Sequence, residues 1–251
     1  MSQSFHVAVL VGSLRAASFS RKVAQALIER APQRLECRVV EIGDLPLYNE
    51  DLEQSAPLAW QELRRELSSS DAVLFVTPEY NRSLPGCLKN ALDVGSRPSE
   101  KSVFDGRPAA VVSVTPYKLG AFGANHSLRQ TFVFLNMPVL QQPEMYLGKI
   151  ADALDASGQV KDAETSALLE RFMAAFADWI ARFRDGRSHD FEAFLGERRE
   201  AASAYVRGDA APVGPVDTRR PRDLLLSQGR HLAGRGCRAR ALRGRRQELR
   251  W

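Results

Sequence analysis

The sequence lacks the features of several protein classes. It has no apolar run near the roughly 18 residues that mark a membrane-spanning helix. Its start, MSQSFHVAV, lacks the charged and then apolar pattern of a signal peptide. The three cysteines are few, odd in number and widely spaced, which argues against a disulfide framework or a zinc site. We therefore expect a cytoplasmic protein with reduced thiols, no metal site and no membrane association.

Most of the chain also lacks an excess of basic charge. Residues 187–251 hold 15 arginines and no lysine against eight acidic residues, and this excess outweighs the net charge of +5 of the whole chain. Residues 1–186 therefore lack the basic stripe that is typical of nucleic-acid-binding domains. The end of the chain has few β-branched residues and little periodicity, so we expect 187–251 to be a poorly ordered or loosely helical extension. Residues 1–186 are expected to form the folded domain.

Apolar, β-branched runs recur along this domain and have the composition of buried strands. The predicted strands are His6 to Val11, Leu35 to Ile42, Asp71 to Val76 and Arg107 to Val114, and Met137 to Leu140 begins a short fifth one. Amphipathic helical patterns separate them, and the strongest runs from Asp162 to Arg184. This alternation predicts an α/β fold with a doubly wound, five-stranded parallel sheet. Ligands of such sheets bind outside the carboxyl ends of the strands.

A serine-rich loop, GSLRAASFS, follows the first strand and leads into a helix. Its hydroxyls and backbone N–H groups, together with the positive end of the helix, suit an anion. Ser13, Ser18 and Ser20 are short donors, and Arg15 can hold a phosphate through two hydrogen bonds. The alternative interpretation is that Ser18 or Ser20 only caps the helix and that Arg15 is solvated. Because the loop matches neither the Walker motif nor G-x-G-x-x-G, a monophosphate such as that of FMN is the better candidate.

The third strand is followed by TPEYNRSLPGCLKNALDVGSRP, a rigid polar loop on the same predicted edge. Together with the serine-rich loop, this motif resembles the NADPH-dependent FMN reductase family, and in particular its chromate and quinone reductase branch. The resemblance extends from about His6 to Phe183. It implies a flavodoxin-like fold, FMN as cofactor, NADPH or NADH as co-substrate, and a homodimer or homotetramer.

The resemblance also implies a set of FMN-binding residues, and it assigns no catalytic side chain, because the flavin N5 carries the hydride chemistry. The set is Ser13, Arg15, Ser18, Phe19, Ser20, Pro78, Glu79, Tyr80, Asn81 and Thr115. Glu79 and Asn81 are expected to bind the flavin, with backbone groups forming many of the bonds, whereas Tyr80 either flanks the ring or simply packs. Thr115 is expected to offer its hydroxyl and its N–H group.

Three other positions carry further expectations. Ser83 is predicted to cap the helix that follows the motif, with Pro85 near its first position. Cys87 is not expected to be a nucleophile, because the sequence around it supplies no activating group. Where relatives have glycine-rich sequence after the fourth strand, this chain has Pro116 to Leu119, so Tyr117 and Lys118 are expected on the nicotinamide or substrate side. One hypothesis is that Lys118 favours the extra phosphate of NADPH.

The expected function is that of an FMN-dependent oxidoreductase. It would transfer hydride from NAD(P)H through flavin N5 to a small-molecule acceptor: a quinone, an azo or nitro compound, chromate or free flavin. The alternative on the same fold is an electron-carrier or redox-sensing FMN-binding protein without a nicotinamide site. Binding to nucleic acid would require the arginine-rich extension at 187–251.

Overall fold

Five parallel strands form the centre of the protein. The computed structural model describes residues 4–155 and 157–185, so the predicted extension at 187–251 lies outside the described residues. The strands are β1 (Phe5–Val11), β2 (Leu35–Val40), β3 (Ala72–Thr77), β4 (Ala109–Val114) and β5 (Met145–Leu147). Their spatial order is β2-β1-β3-β4-β5, and every neighbouring pair is parallel. This is the strand order of flavodoxin-like proteins, which confirms the predicted fold class.

Helices cover both faces of the sheet, so its strands are buried on both sides. The helices are α1 (Phe19–Glu29), α2 (Leu58–Ser68), α3 (Gly86–Gly95), α4 (Phe122–Phe134), α5 (Ile150–Ala153) and α6 (Ala163–Asp185). Two short 3-10 helices lie at Glu50–Ser55 and Ser99–Lys101. Helices α1 and α6 pack on one face, and α2, α3 and α4 pack on the other. Every residue of β3 and β4 is buried, which explains their continuous apolar sequence.

The apolar stripe of α6 belongs to the core, as predicted. Its side chains Leu169, Phe172, Met173, Phe176 and Ile180 are buried against the sheet. Among the described residues, no helix combines the length and the apolar character that crossing a bilayer requires.

The fifth strand lies later in the chain than the sequence predicted. Within the run Met137 to Leu140, only Val139 is bridged to the sheet, through a single parallel contact with Ala109. The strand itself is Met145–Leu147, which pairs with Val112 to Val114. Because the intervening Pro143 has no N–H group to donate, the ladder is interrupted before it resumes at Met145.

The predicted cap of α3 is also wrong. The N-cap is Pro85, and no side chain caps this helix. Ser83 instead pairs with Tyr80 through two backbone hydrogen bonds of 3.0 Å each. These bonds close a tight turn before α3, so Ser83 lies too early in the chain to cap the helix. By contrast, Leu88, Ala91 and Leu92 pack α3 on the sheet as expected.

Candidate active site

The serine-rich loop follows β1, and a loop from Pro78 to Asn81, the PEYN loop, follows β3. Both loops leave neighbouring strands at the same edge of the sheet. The strand order reverses between β1 and β3, and flavodoxin-like proteins bind FMN at such a switch point. A cavity of about 420 Å³ lies here, lined by Gly12, Leu14, Arg15, Tyr80, Pro85, Gly86 and Cys87. This volume is within the range of small-molecule sites. Another cavity, of about 260 Å³, has His6, Glu36 and Glu66 in its lining, but it lies beside the amino end of β1.

Gly12 holds the start of the serine-rich loop close to β3. Its N–H group donates to the carbonyl of Val76 at 2.9 Å. A Cβ atom at this position would lie 2.9 Å from Thr77 Oγ1 and 3.1 Å from Leu88 Cδ2. A side chain therefore does not fit here, and the backbone itself approaches the site.

The serines of the loop divide into two kinds. Ser13, Ser18 and Ser20 are all buried. Ser18 is the N-cap of α1, and its Oγ accepts a hydrogen bond from the Arg21 N–H at 3.1 Å. Among the described residues, the hydroxyls of Ser13 and Ser20 have no hydrogen-bond partner. Because a buried hydroxyl without a partner is costly, these two groups are suited to an anionic ligand.

The charged residues near the loop also differ in their availability. Arg21 forms two hydrogen bonds of 2.7 Å with the Glu41 carboxylate. This bonding raises the pKa of Arg21 and lowers the pKa of Glu41, so the pair remains charged. Arg15 is exposed and lines the cavity, where it can meet an anion. Phe19, the first residue of α1, packs against the core, and Lys22 Nζ lies 5.9 Å from the centre of its ring.

The PEYN loop ends in a tight turn. Asn81 and Arg82 have positive φ angles of 51° and 65°. Positive φ at both central residues, between the paired Tyr80 and Ser83, is typical of a type I′ turn. Asparagine tolerates this conformation, whereas arginine is strained in it by a modest amount. Pro78 further limits the backbone, so the loop is preformed.

Glu79 connects this loop to α4. Its carboxylate accepts a hydrogen bond from the Ala124 N–H at 3.2 Å, in the first turn of the helix. The N-cap residue Ala121 offers no side-chain cap, so Glu79 supplies the acceptor from a distant part of the sequence. Arg82 lies 3.7 Å from the same carboxylate. The side chain of Glu79 is therefore already used for positioning.

The loop after β4 is fixed by the end of β5. The Thr115 N–H group, which was expected to face the flavin, donates to the Leu147 carbonyl at 2.9 Å. The Thr115 hydroxyl accepts from the Tyr117 N–H at 3.2 Å, so its proton and one lone pair remain for a ligand. Tyr117 and Lys118 are exposed, and the Lys149 N–H group donates to the Tyr117 carbonyl at 2.9 Å.

The structure thus brings some of the predicted residues together and separates others. Arg15 and Tyr80 line one cavity, and Tyr80 is 47% exposed there. The other eight predicted residues are not among those that line it: Ser13, Ser18, Phe19, Ser20, Pro78, Glu79, Asn81 and Thr115. Sequence reasoning missed the remaining lining residues, because nothing in their local pattern marks them as ligand contacts: Gly12, Leu14, Pro85, Gly86 and Cys87. Cys87 also lines the cavity, and burial raises the pKa of its thiol, which disfavours the thiolate.

Comparison with known proteins agrees with this geometry. The family model described as "NADPH-dependent FMN reductase" matches residues 5–152, which include both loops and α4. The chain belongs to the NADPH-dependent FMN reductase family. As a member, it is an oxidoreductase that works with FMN and a nicotinamide nucleotide, as the sequence predicted.

Several relatives within this family are named as quinone reductases. A quinone reductase of Pseudomonas putida is 58% identical over 181 residues, which are 72% of this chain and 97% of the relative. A 2-hydroxy-1,4-benzoquinone reductase of a Burkholderia species is 39% identical over 174 residues, which are 69% of this chain and 95% of the relative. Among solved structures, the flavoenzyme NAD(P)H:(acceptor) oxidoreductase FerB of Paracoccus denitrificans is similar, with a TM-score of 0.68, 41% identity and coverage of 71% of this chain and 98% of FerB.

Proposed function

We propose that this protein binds FMN at the β1/β3 switch point and uses NAD(P)H to reduce quinones there. The observation that carries the assignment is the pair of buried hydroxyls, Ser13 and Ser20, which have no partner within the described residues. Ser13 directly follows Gly12, where the backbone has no room for a side chain, and Ser20 lies in the first turn of α1. The quinone reductases of 58% and 39% identity support quinones as the acceptor class.

The residues present fit FMN. Ser13, Ser20 and the exposed Arg15 would hold the phosphate through hydrogen bonds to a charged group. The backbone from Pro78 to Asn81 would face the edge of the flavin ring, because the side chain of Glu79 is bound to α4. When bound, FMN supplies hydride transfer at N5. The side chains of this chain orient the ring and exclude water, and none of them has to move a proton for that transfer.

The experiment starts from the purified full-length protein. We expect it to contain FMN, to be reduced by NADPH or NADH without oxygen, and to follow ping-pong kinetics with a quinone. A protein that binds no FMN would overturn the proposal. Bound FMN that neither nucleotide reduces would instead favour the electron-carrier alternative. Azo and nitro compounds, chromate and free flavin belong in the acceptor panel as predictions.

We also infer that the protein forms a homodimer or homotetramer through the outer face of α4. Val133 and Phe134 are 83% and 82% exposed, and exposed apolar neighbours of this kind favour a contact between subunits. Phe132 and Leu135, on either side of them in the sequence, are buried in the core. Analytical ultracentrifugation tests the assembly, and a Phe134→Asp variant should dissociate it. A location in the cytoplasm stays a prediction.

A further inference from the structure

We propose that Phe122, His126 and Tyr146 form a binding platform for the aromatic ring of the electron acceptor. This platform, the acceptor shelf, rests on the proposed function. The ring centres of Phe122 and His126 are 4.1 Å apart, and those of Phe122 and Tyr146 are 5.4 Å apart. The rings of His126 and Tyr146 are nearly parallel, with an angle of 7°. Three rings from α4 and β5 thus form one aromatic surface.

The shelf lies next to the PEYN loop and the turn that ends it. Gly123, which follows Phe122, is so close that a Cβ there would lie 3.0 Å from Glu79 Oε2 and 2.6 Å from the Arg82 carbonyl oxygen. On the other side, a Cβ at Gly120 would lie 2.7 Å from the Tyr146 Cβ. The shelf therefore continues the ligand edge of the sheet, between the turn and the loop after β4.

Phe122 is 54% exposed although it lies on this edge. Its ring contacts are with His126 and Tyr146 of the shelf itself. Covering an exposed aromatic face with another ring is favourable, both through stacking and through the area removed from water. A planar conjugated acceptor such as a quinone can stack on this exposed aromatic surface.

The shelf also carries a hydrogen-bonding group of defined character. The Tyr146 hydroxyl donates to Glu144 Oε1 at 2.9 Å. Since its proton is used there, the Tyr146 oxygen must accept the hydrogen bond from His126 Nε2, at 3.0 Å. Burial and the bond to Glu144 raise the pKa of Tyr146, which keeps this proton in place.

This arrangement leaves His126 Nδ1 without a partner among the described residues. In the neutral ring, Nδ1 accepts a hydrogen bond, which suits the O–H group of a phenol or hydroquinone. In the protonated ring it donates, which suits the carbonyl oxygen of a quinone. The shelf thus offers stacking for the ring and one hydrogen bond for its oxygen.

The kinetic test compares two acceptors on the FMN-loaded full chain. 1,4-Naphthoquinone can stack on the shelf, whereas ferricyanide, which accepts single electrons, cannot. We expect Phe122→Ala to lower the ratio of kcat/KM for naphthoquinone to that for ferricyanide about tenfold. His126→Phe keeps the ring and removes the nitrogens, so the ratio should fall about fivefold. Leu58→Ala, which truncates another exposed apolar residue on α2, is the control and should leave the ratio unchanged.

A second readout needs no turnover. 1-Naphthol is a phenol that the enzyme cannot reduce, and calorimetry measures its Kd. We expect this Kd to rise in both shelf variants and to stay unchanged in Leu58→Ala. Unchanged ratios and affinities in both variants would overturn the shelf. If Phe122→Ala changed the sedimentation mass but not the naphthol affinity, the surface would be a subunit contact, and the shelf would again be overturned. Wild-type protein that fails to bind FMN would contradict the proposed function. Wild-type protein that binds FMN, with naphthol affinity unchanged in both variants, would contradict only the shelf.

Discussion

Ser13, Ser18 and Ser20, which lie between the end of β1 and the first turn of α1, are all buried, but their surroundings give them different tasks. Only Ser18 has a hydrogen-bond partner among the described residues, and that partner is the first turn of α1. The two interpretations of this loop, helix cap and phosphate site, therefore apply to different residues of it. Ser18 stabilises the helix, and we propose Ser13 and Ser20, whose hydroxyls have no partner within the described residues, for the ligand.

Two single substitutions should separate these tasks. Ser20→Ala removes a donor to a charged phosphate, and we expect the Kd of FMN to rise about tenfold while the free energy of unfolding of the FMN-free protein stays similar. Ser18→Ala removes the cap and should lower the free energy of unfolding by about 1 kcal/mol. Flavin fluorescence measures the Kd, and urea unfolding measures the stability. Equal effects of both variants on FMN would contradict the division.

Packing leaves no room for a side chain at Gly12. In Gly12→Ala, the new methyl group would meet the buried Thr77 hydroxyl at 2.9 Å, so β1 or β3 has to shift. We expect a loss of about 1–3 kcal/mol in the free energy of unfolding and weaker FMN binding. Gly86→Ala is the matched control, because a Cβ at Gly86 meets nothing within 4 Å and lies in the first turn of α3. A control variant as unstable as Gly12→Ala would refute the steric explanation.

Glu79 links two elements that are far apart in sequence. In Glu79→Ala, the Ala124 N–H group loses its acceptor, and we expect α4 to lose about 1 kcal/mol of stability. The PEYN loop should also become more mobile, so hydrogen exchange should increase both in this loop and in the first turn of α4. Arg82→Ala removes only an exposed charge 3.7 Å from the carboxylate and should cost less than about 0.5 kcal/mol. If Arg82→Ala were the more damaging change, the ion pair rather than the cap would hold the loop.

The loop after β4 tests the nucleotide preference. Lys118 is exposed, and the backbone bond from Lys149 to Tyr117 fixes the loop that carries it. If Lys118 meets the extra phosphate of NADPH, Lys118→Ala should lower kcat/KM for NADPH about fivefold at most and leave NADH unaffected. High salt should reduce the difference, because the charge is exposed. Lys101→Ala is the control, and an unchanged preference in Lys118→Ala would disprove the hypothesis.

Local patterns predicted much of this architecture, and tertiary contacts explain the rest. Buried parallel strands are continuous apolar runs, so β1, β3 and β4 could be found within a residue or two of their observed ends. The three-residue strand β5 has too little sequence to show such a pattern, and its pairing with β4 defines it. Likewise, no local signal could show that Glu79 caps a helix 45 residues further along the chain.

At the scale of the whole molecule, the matched family segment and the arginine-rich extension have different compositions. The family match ends at residue 152, and the described residues end with α6 at Asp185. Within the described residues, all five strands and all six α-helices contribute side chains to the core. A chain that ends at residue 186 should therefore keep the FMN site, and the predicted domain boundary becomes testable.

We expect the chain truncated after residue 186 to bind FMN with unchanged stoichiometry and to keep its kcat/KM for naphthoquinone. The 15 arginines of 187–251 can bind the phosphates of nucleic acid, and this binding is weakened by salt, so we expect the full chain to bind duplex DNA weakly and only at low salt. The truncated chain should not bind DNA at all. Fluorescence anisotropy over a range of salt concentrations measures this binding. Loss of FMN on truncation would instead mean that the extension belongs to the flavin domain.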